Sequence, residues 1–318
     1  MFADVADDQA WVRGSVSPDD WLVPMPSAAI AEVEAAVQQL RRDPLPTLLL
    51  QPDQFSLAAC SELMSTVRQK LLHGIGLVVL DRLPVERFST EESTTVYWLL
   101  ASMLGRLVAQ SWAGTMVYNV RDAGKTLEYG VRRSITNLEL FFHTDGPWLD
   151  LPPELVGLLC LNPAEEGGVS RFTSLATAHN ELRRRHPDLL PRLYRPVPWD
   201  KQAEHAPGDE KVGWQPVFQQ DERGFVARCN AALIRTGAEL AGAPLDAEGT
   251  EAVAALSEIL DDPEFSVEFT IERGQIQYLN NHRFAHSRTS FHDAADPVLK
   301  RHLIRLWNRD EGRRTFYG

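Results

Sequence analysis

From Thr115 onward the chain breaks into short apolar, β-branched runs separated by turn residues, and this rhythm constrains the fold more than any other feature. The runs fall at 115–120, 138–144, 155–161, 170–173, 224–229, 265–271, 275–279 and 303–307. Strands this short and this evenly punctuated predict an all-β sandwich or jelly roll. Helical spacing interrupts them at 175–185, 232–240 and 250–260. The first third reads differently: helices are expected over 28–40, 57–72 and 89–104, with a buried strand at 75–80 after Gly74 ends the second helix. The expected fold is therefore mainly β with α additions. Residues 1–318 form one domain, with 1–73 a helical N-terminal extension and 74–310 a jelly-roll core carrying helical inserts.

Charge and cysteine usage narrow the function. Forty-four acidic against 32 basic residues give a net charge of −12, which repels phosphate backbones and anionic lipid. No nucleic-acid or membrane partner is expected; a small molecule is, and a homo-oligomer is compatible with the composition. Three widely spaced cysteines offer neither a disulfide framework nor a Cys-x-x-Cys metal site. With no apolar run of spanning length and no targeting signal, a cytoplasmic setting is expected.

A metal site is the strongest chemical signal. His-x-acid triplets are weak alone, since nine histidines and 44 acids predict about one by chance, and the chain has three. His179-Asn-Glu181 lies in a helical stretch, where residues two apart face opposite ways. His186-Pro-Asp188 sits at a helix junction, with Asp188 free to cap or lie in solvent. His143-Thr-Asp145 ends a strand-like run, so period-two geometry puts both side chains on one face. A second imidazole from the distant run after Asn280-Asn281 completes two histidines and a carboxylate. His286 is preferred to His282, which lies nearer the turn. That donor set leaves coordination positions open, as Fe(II) chemistry with O2 requires and a closed structural zinc site does not. Arg301 and Arg305 share parity with Leu303 and Trp307, so both guanidiniums point inward, where their forks suit carboxylate capture.

Four blocks together resemble the taurine dioxygenase (TauD/TfdA-like) family of Fe(II)- and 2-oxoglutarate-dependent oxygenases. They are Phe142-His-Thr-Asp-Gly146, Gly167-Gly-Val-Ser170, Asn280-Asn-His-Arg-Phe-Ala-His-Ser-Arg-Thr-Ser-Phe291 and Arg301-His-Leu-Ile-Arg-Leu-Trp307. The resemblance implies a cupin-like double-stranded β-helix, iron held by His143, Asp145 and His286, and 2-oxoglutarate held by Arg301. Ser170 stands where the family often has a threonine that touches the co-substrate, although Val169-Ser170 departs from the commoner Asp-Thr form. It also implies consumption of O2 and 2-oxoglutarate, release of succinate and CO2, and hydroxylation of an unactivated C–H. Asp145 favours hydroxylation over halogenation, because related halogenases lack this carboxylate. Desaturation, epoxidation or cyclisation in natural-product biosynthesis are the alternatives within the class; a cupin-like Zn or Mn isomerase or hydrolase, and a non-catalytic barrel with a structural metal, lie outside it.

Substrate contacts follow from strand parity. Asn137, Glu139 and Phe141 should share the inward face of His143, so Glu139 is expected to read a substrate amine and Arg305 a substrate carboxylate, unless the two pair with each other. Such a pair of contacts suits an amino-acid-like or amine-bearing metabolite. Trp148 is a candidate lid residue, and the polar segment 201–214 a candidate mobile loop.

Overall fold

The large sheet assembles strands drawn from the whole chain, in the order Leu22–Pro24, Leu77–Asp81, Ile276–Asn280, Leu155–Asn162, His302–Asn308 and Leu107–Val108, with Tyr118–Val120 also pairing with His302–Asn308. A four-stranded sheet, Ser266–Phe269, Ser170–Ser174, Phe284–Arg288 and Leu140–His143, accompanies it and is antiparallel throughout. The computed structural model describes residues 3–5, 8–126, 128–221 and 224–318.

Burial explains why the strands of the large sheet read as continuous apolar runs instead of alternating ones. Ile276–Asn280 is buried at every position, and His302–Asn308 at every position after the first. A sheet covered on both faces needs apolar residues on both parities. One parity, with Val78, Leu80, Leu159, Tyr278, Ile304 and Leu306, packs with the helices Ser27–Arg42, Ala58–His73 and Thr90–Leu104. The other, with Leu77, Val79, Val156, Leu279 and Trp307, shares a core with Phe142, Phe172 and Phe284 of the small sheet. The molecule is layered as helices, large sheet and small sheet, and Arg305 and Trp307 share the parity that meets the small sheet.

Local chemistry sets the helix ends. The Ser89 hydroxyl accepts from the Glu92 N–H at 3.1 Å while the Glu92 carboxylate accepts from the Ser89 N–H at 2.8 Å, a reciprocal cap that starts Thr90–Leu104. Asn230 and Asp246 cap Ala231–Ala241 and Ala247–Asp261 one way only, their side chains accepting from the N–H groups of Leu233 and Gly249.

Three expectations need correction. The N-terminal segment is not purely helical, since Leu22–Pro24 pairs in parallel with Leu77–Asp81 at the sheet edge. The run at 138–144 forms a strand only over Leu140–His143, preceded by a bend through Thr136, Asn137 and Leu138. The expected loop at 201–214 is the tip and part of the return strand of a hairpin in which Val197–Asp200 pairs with Val212–Gln215. Among the described residues no helix is long and apolar enough to cross a membrane.

Candidate metal centre

His143 and His286 are brought together by strand pairing: their Cα atoms are partners in register, and their rings sit 4.2 Å apart between centroids. Asp145 lies just past the strand end, in the turn that opens at Gly146, whose φ of +62° favours glycine. Each of the three residues is buried, and each offers a ligand atom within 4.8 Å of the other two. No other group of three or more histidine, cysteine, aspartate or glutamate side chains among the described residues meets that description.

The supports of Asp145 come from sequence-distant places. Its N–H donates to Asn281 Oδ1 at 2.8 Å, and Asn281 Nδ2 donates back to the Asp145 carbonyl at 3.0 Å. Between the ligands, Thr144 is tied to Cys229 by N–H to carbonyl at 2.8 Å and by Cys229 N–H to the threonine hydroxyl at 3.0 Å. On the carboxylate itself, Trp307 Nε1 donates to Oδ2 at 2.8 Å and Arg305 Nη1 lies 3.1 Å away. One carboxylate thus has its orientation fixed by an indole and a guanidinium, as ligating carboxylates usually require.

Protonation suits a cation. Burial opposes the ionised form of Asp145, but the Arg305 guanidinium and then the imidazoles and the Trp307 indole outweigh it and hold the carboxyl at about 2. Burial, reinforced by the neighbouring His143, drives His286 down to about 3, and burial lowers His143 as well. Both rings are therefore neutral near pH 7. His143 Nδ1 sits 2.8 Å from the Phe141 carbonyl, so with the proton on Nδ1 the Nε2 lone pair is free to bind metal. Two neutral imidazoles and a carboxylate fit a divalent transition metal.

The decoys are settled by the same geometry. His179 is fully buried, with Nε2 2.8 Å from the Tyr194 hydroxyl, while Glu181 pairs outward with Arg184 and Arg185. His186 and Asp188 are exposed. His282 Nε2 lies 3.3 Å from the Pro152 carbonyl and is not in the metal cluster.

A cavity of about 570 Å³ opens beside the cluster, lined by His143 and Asp145 together with Phe141, Trp148, Arg305 and Trp307. Phe141 and Trp148 therefore stand where substrate contact was expected. Asn137 and Glu139 do not: neither lines the cavity, Asn137 is exposed, and Glu139 pairs with Arg171 at 3.1 Å with its side chain 44% exposed. Strand parity cannot be carried back through the bend before Leu140. Arg305 is committed to Asp145 and not to Glu139, although its Nη2 has no hydrogen-bond partner among the described residues.

Arg301 is 4% exposed, stacks on Phe291 at 5.0 Å, and its Nη1 has no hydrogen-bond partner among the described residues. Burial lowers its pKa to about 10. The Gly167-Gly168 turn lies beside it. Both glycines have positive φ, a Cβ at Gly167 would lie 2.3 Å from the Ser290 carbonyl oxygen, and one at Gly168 would lie 3.3 Å from Ala164 Cβ and in ordinary contact with Arg301 Nε at 3.5 Å. Ser170, two residues on, is buried and pairs in register with Arg288. Sequence reasoning missed Asn281 and the indole of Trp307 as supports of Asp145; the first was visible only as a turn residue, the second only as an apolar inward position.

Comparison with known proteins accords with this geometry. The family described as "Taurine catabolism dioxygenase TauD, TfdA family" matches residues 41–307. FR-33289 synthase of Streptomyces rubellomurinus is 28% identical over 321 residues, covering 98% of this chain and 92% of that one. The taurine hydroxylase-like protein SAT17 of Stachybotrys chartarum is 27% identical over 318 residues, covering 96% of this chain and 80% of that one. Among solved structures, asparagine oxygenase in complex with Fe(II), 2S,3S-3-hydroxyasparagine and succinate superposes with a TM-score of 0.67 at 19% identity, covering 91% of this chain and 94% of that one. The non-heme iron oxygenase OrfP in complex with Fe and alpha-ketoglutaric acid gives 0.66 at 16%, with the same coverage. These two structural likenesses bear on the fold. The family match spans most of the chain, and with the four sequence blocks in place it establishes that this protein belongs to the TauD/TfdA family of dioxygenases.

Proposed function

We propose that this protein is an Fe(II)- and 2-oxoglutarate-dependent dioxygenase that hydroxylates an unactivated C–H of a small amino-acid-like or amine-bearing metabolite. The observation that carries the reading is the buried His143, Asp145 and His286 cluster, its two imidazoles neutral and its carboxylate ionised, with His143 and Asp145 lining a cavity. His143, Asp145 and His286 would hold iron, and Arg301, whose Nη1 has no partner among the described residues, would take the distal carboxylate of 2-oxoglutarate, with Ser170 as a hydroxyl contact. Iron and 2-oxoglutarate supply the oxidation: substrate C–H, O2 and 2-oxoglutarate become substrate C–OH, succinate and CO2. The chain's own residues do the rest. Asp145 is kept ionised and oriented by Arg305 and Trp307, so the third ligand is in place before metal arrives. Phe141 and Trp148 line the cavity and give it apolar surface against which a substrate can be oriented.

The relatives support the amino-acid-like class, since the solved structures similar to this one include complexes with hydroxyasparagine and with (3S)-hydroxy-L-Arg. Two facing sheets that bury the site between them support the double-stranded β-helix. Residues 1–318 are read as one oxygenase domain, because Leu22–Pro24 is a strand of the same sheet as His302–Asn308.

Anaerobic addition of Fe(II) and then 2-oxoglutarate should give a weak visible charge-transfer band, and admission of O2 should then yield succinate. A protein that shows neither, but turns over with Zn(II) or Mn(II) without O2, would be an isomerase or hydrolase instead.

A further inference from the structure

We propose that Asp200 receives a cationic nitrogen of the substrate and so sets the enzyme's preference for amines; this rests on the oxygenase reading above and deepens it. Asp200 ends the strand Val197–Asp200 and lines the same cavity as His143 and Asp145. It is 5% exposed. Its Oδ1 accepts from the Gln202 N–H at 2.7 Å and its Oδ2 from the Thr236 hydroxyl at 2.9 Å. Both donors are neutral, and among the described residues Asp200 has no ion-pair partner.

A buried carboxylate without a counterion is costly, so such groups are normally paired or bound to a cation. The cations already in this cavity are engaged elsewhere: Arg305 with Asp145, Arg132 with Glu204, and Arg133 with the Glu139 carbonyl while lying over the Phe141 ring. Two of the roughly four lone-pair sites of the Asp200 carboxylate are used by its hydrogen bonds, and the remainder are open to a ligand. The group is also held in place. Helix Ala231–Ala241 packs so closely on this strand that a Cβ at Gly237 would lie 2.7 Å from the Asp200 nitrogen. Tyr129 lines the same cavity, and its ring already carries a cation, Lys211 Nζ lying 6.0 Å from its centroid. A fixed anion without a counterion, in the cavity that His143 and Asp145 also line, forms a receptor for an ammonium or guanidinium group.

The test is equilibrium binding, by calorimetry, of lysine, ornithine, arginine and asparagine, each beside its N-acetylated forms, to the full-length wild type and to Asp200→Asn and Thr236→Val. In the wild type at least one free amine should bind about tenfold or more tighter than its fully acetylated form, and Asp200→Asn should erase that difference. Thr236→Val removes one of the hydrogen bonds holding the carboxylate but keeps its charge, so it should retain the preference. A purely structural Asp200 predicts that both variants behave alike, and equal loss in the two would overturn the assignment. So would an amine preference that survives in Asp200→Asn, or a wild type that binds no free amine better than its acetylated form. Succinate release by the iron-loaded wild type is read separately: its absence counts against the oxygenase reading, whereas its presence without an Asp200-dependent preference counts against this assignment alone.

Discussion

Asp145 does two jobs, and removing it should show both. It is a candidate metal ligand and the counterion of Arg305, whose side chain is only 8% exposed. Asp145→Ala should therefore abolish metal binding and, in the metal-free protein, cost about 3 kcal/mol of stability, because a buried guanidinium loses its partner. Asp188→Ala, at an exposed site, should change the unfolding free energy measured by denaturation by less than about 0.5 kcal/mol and leave metal binding alone. Arg301 makes the opposite case. Its Nη1 has no partner among the described residues and its charge is buried, so Arg301→Met should leave the ligand-free protein as stable as before or about 1 kcal/mol more so. The same variant should lose the rise in melting temperature that 2-oxoglutarate gives the wild type in the presence of Mn(II). A large destabilisation without ligand would mean that Arg301 serves the fold. At this scale the sequence was legible where a residue's position follows from a short motif, as for the convergence of His143, Asp145 and His286 and the inward burial of Arg301. It was not legible for Glu139, whose placement depended on a strand beginning two residues earlier than it does, nor for Asp200, whose isolation is a property of everything around it.

Elements were legible in proportion to their length. The helix Leu175–Arg185 was placed to the residue because it carries enough positions for its period to show, and the strands Leu155–Asn162 and His302–Asn308 within two because their apolar runs are long. Leu107–Val108 and the hairpin strands Val197–Asp200 and Val212–Gln215 are too short to show a period, and their partners give them their structure. The Gly167-Gly168 turn lies between these cases, since its glycines are conspicuous but their reason is tertiary. Gly167 has a φ of +73° and the Ser290 carbonyl oxygen 2.3 Å from where a Cβ would sit. Gly167→Ala should cost about 2–4 kcal/mol from the backbone conformation and the clash together. The pairing of Phe291 with Gly167 must give way, and Phe291 carries Arg301 on its ring. Urea denaturation should therefore show the loss, and 2-oxoglutarate affinity should fall with it.

Over the whole molecule, two stacked sheets and a helical layer remove the metal ligands from water, and this burial governs the response to acid. Strand rhythm announced the sheets, but their order is set by pairings between residues more than a hundred positions apart, such as Leu77–Asp81 with Ile276–Asn280, which no local pattern encodes. The consequence for protonation can be measured. His286 is held at about 3 against an ordinary 6.5, and His143 is lowered too, so below about pH 6.5 the unfolded chain binds protons that the folded chain refuses. Asp145, at about 2 against 3.8, adds a loss of the same sign between about pH 4 and pH 2. Stability of the metal-free protein is thus fully present above about pH 6.5 and declines steadily as pH falls towards 3. Metal affinity of the folded protein should behave differently. Imidazoles already neutral do not have to shed protons, so Mn(II) affinity should fall by much less between pH 7 and pH 5 than the roughly thousandfold that two ordinary histidines would lose. Titrations at the two pH values, with folding checked by circular dichroism, decide between these outcomes. A thousandfold loss would show that water reaches the rings, and that the layers close less tightly over the site than their packing indicates.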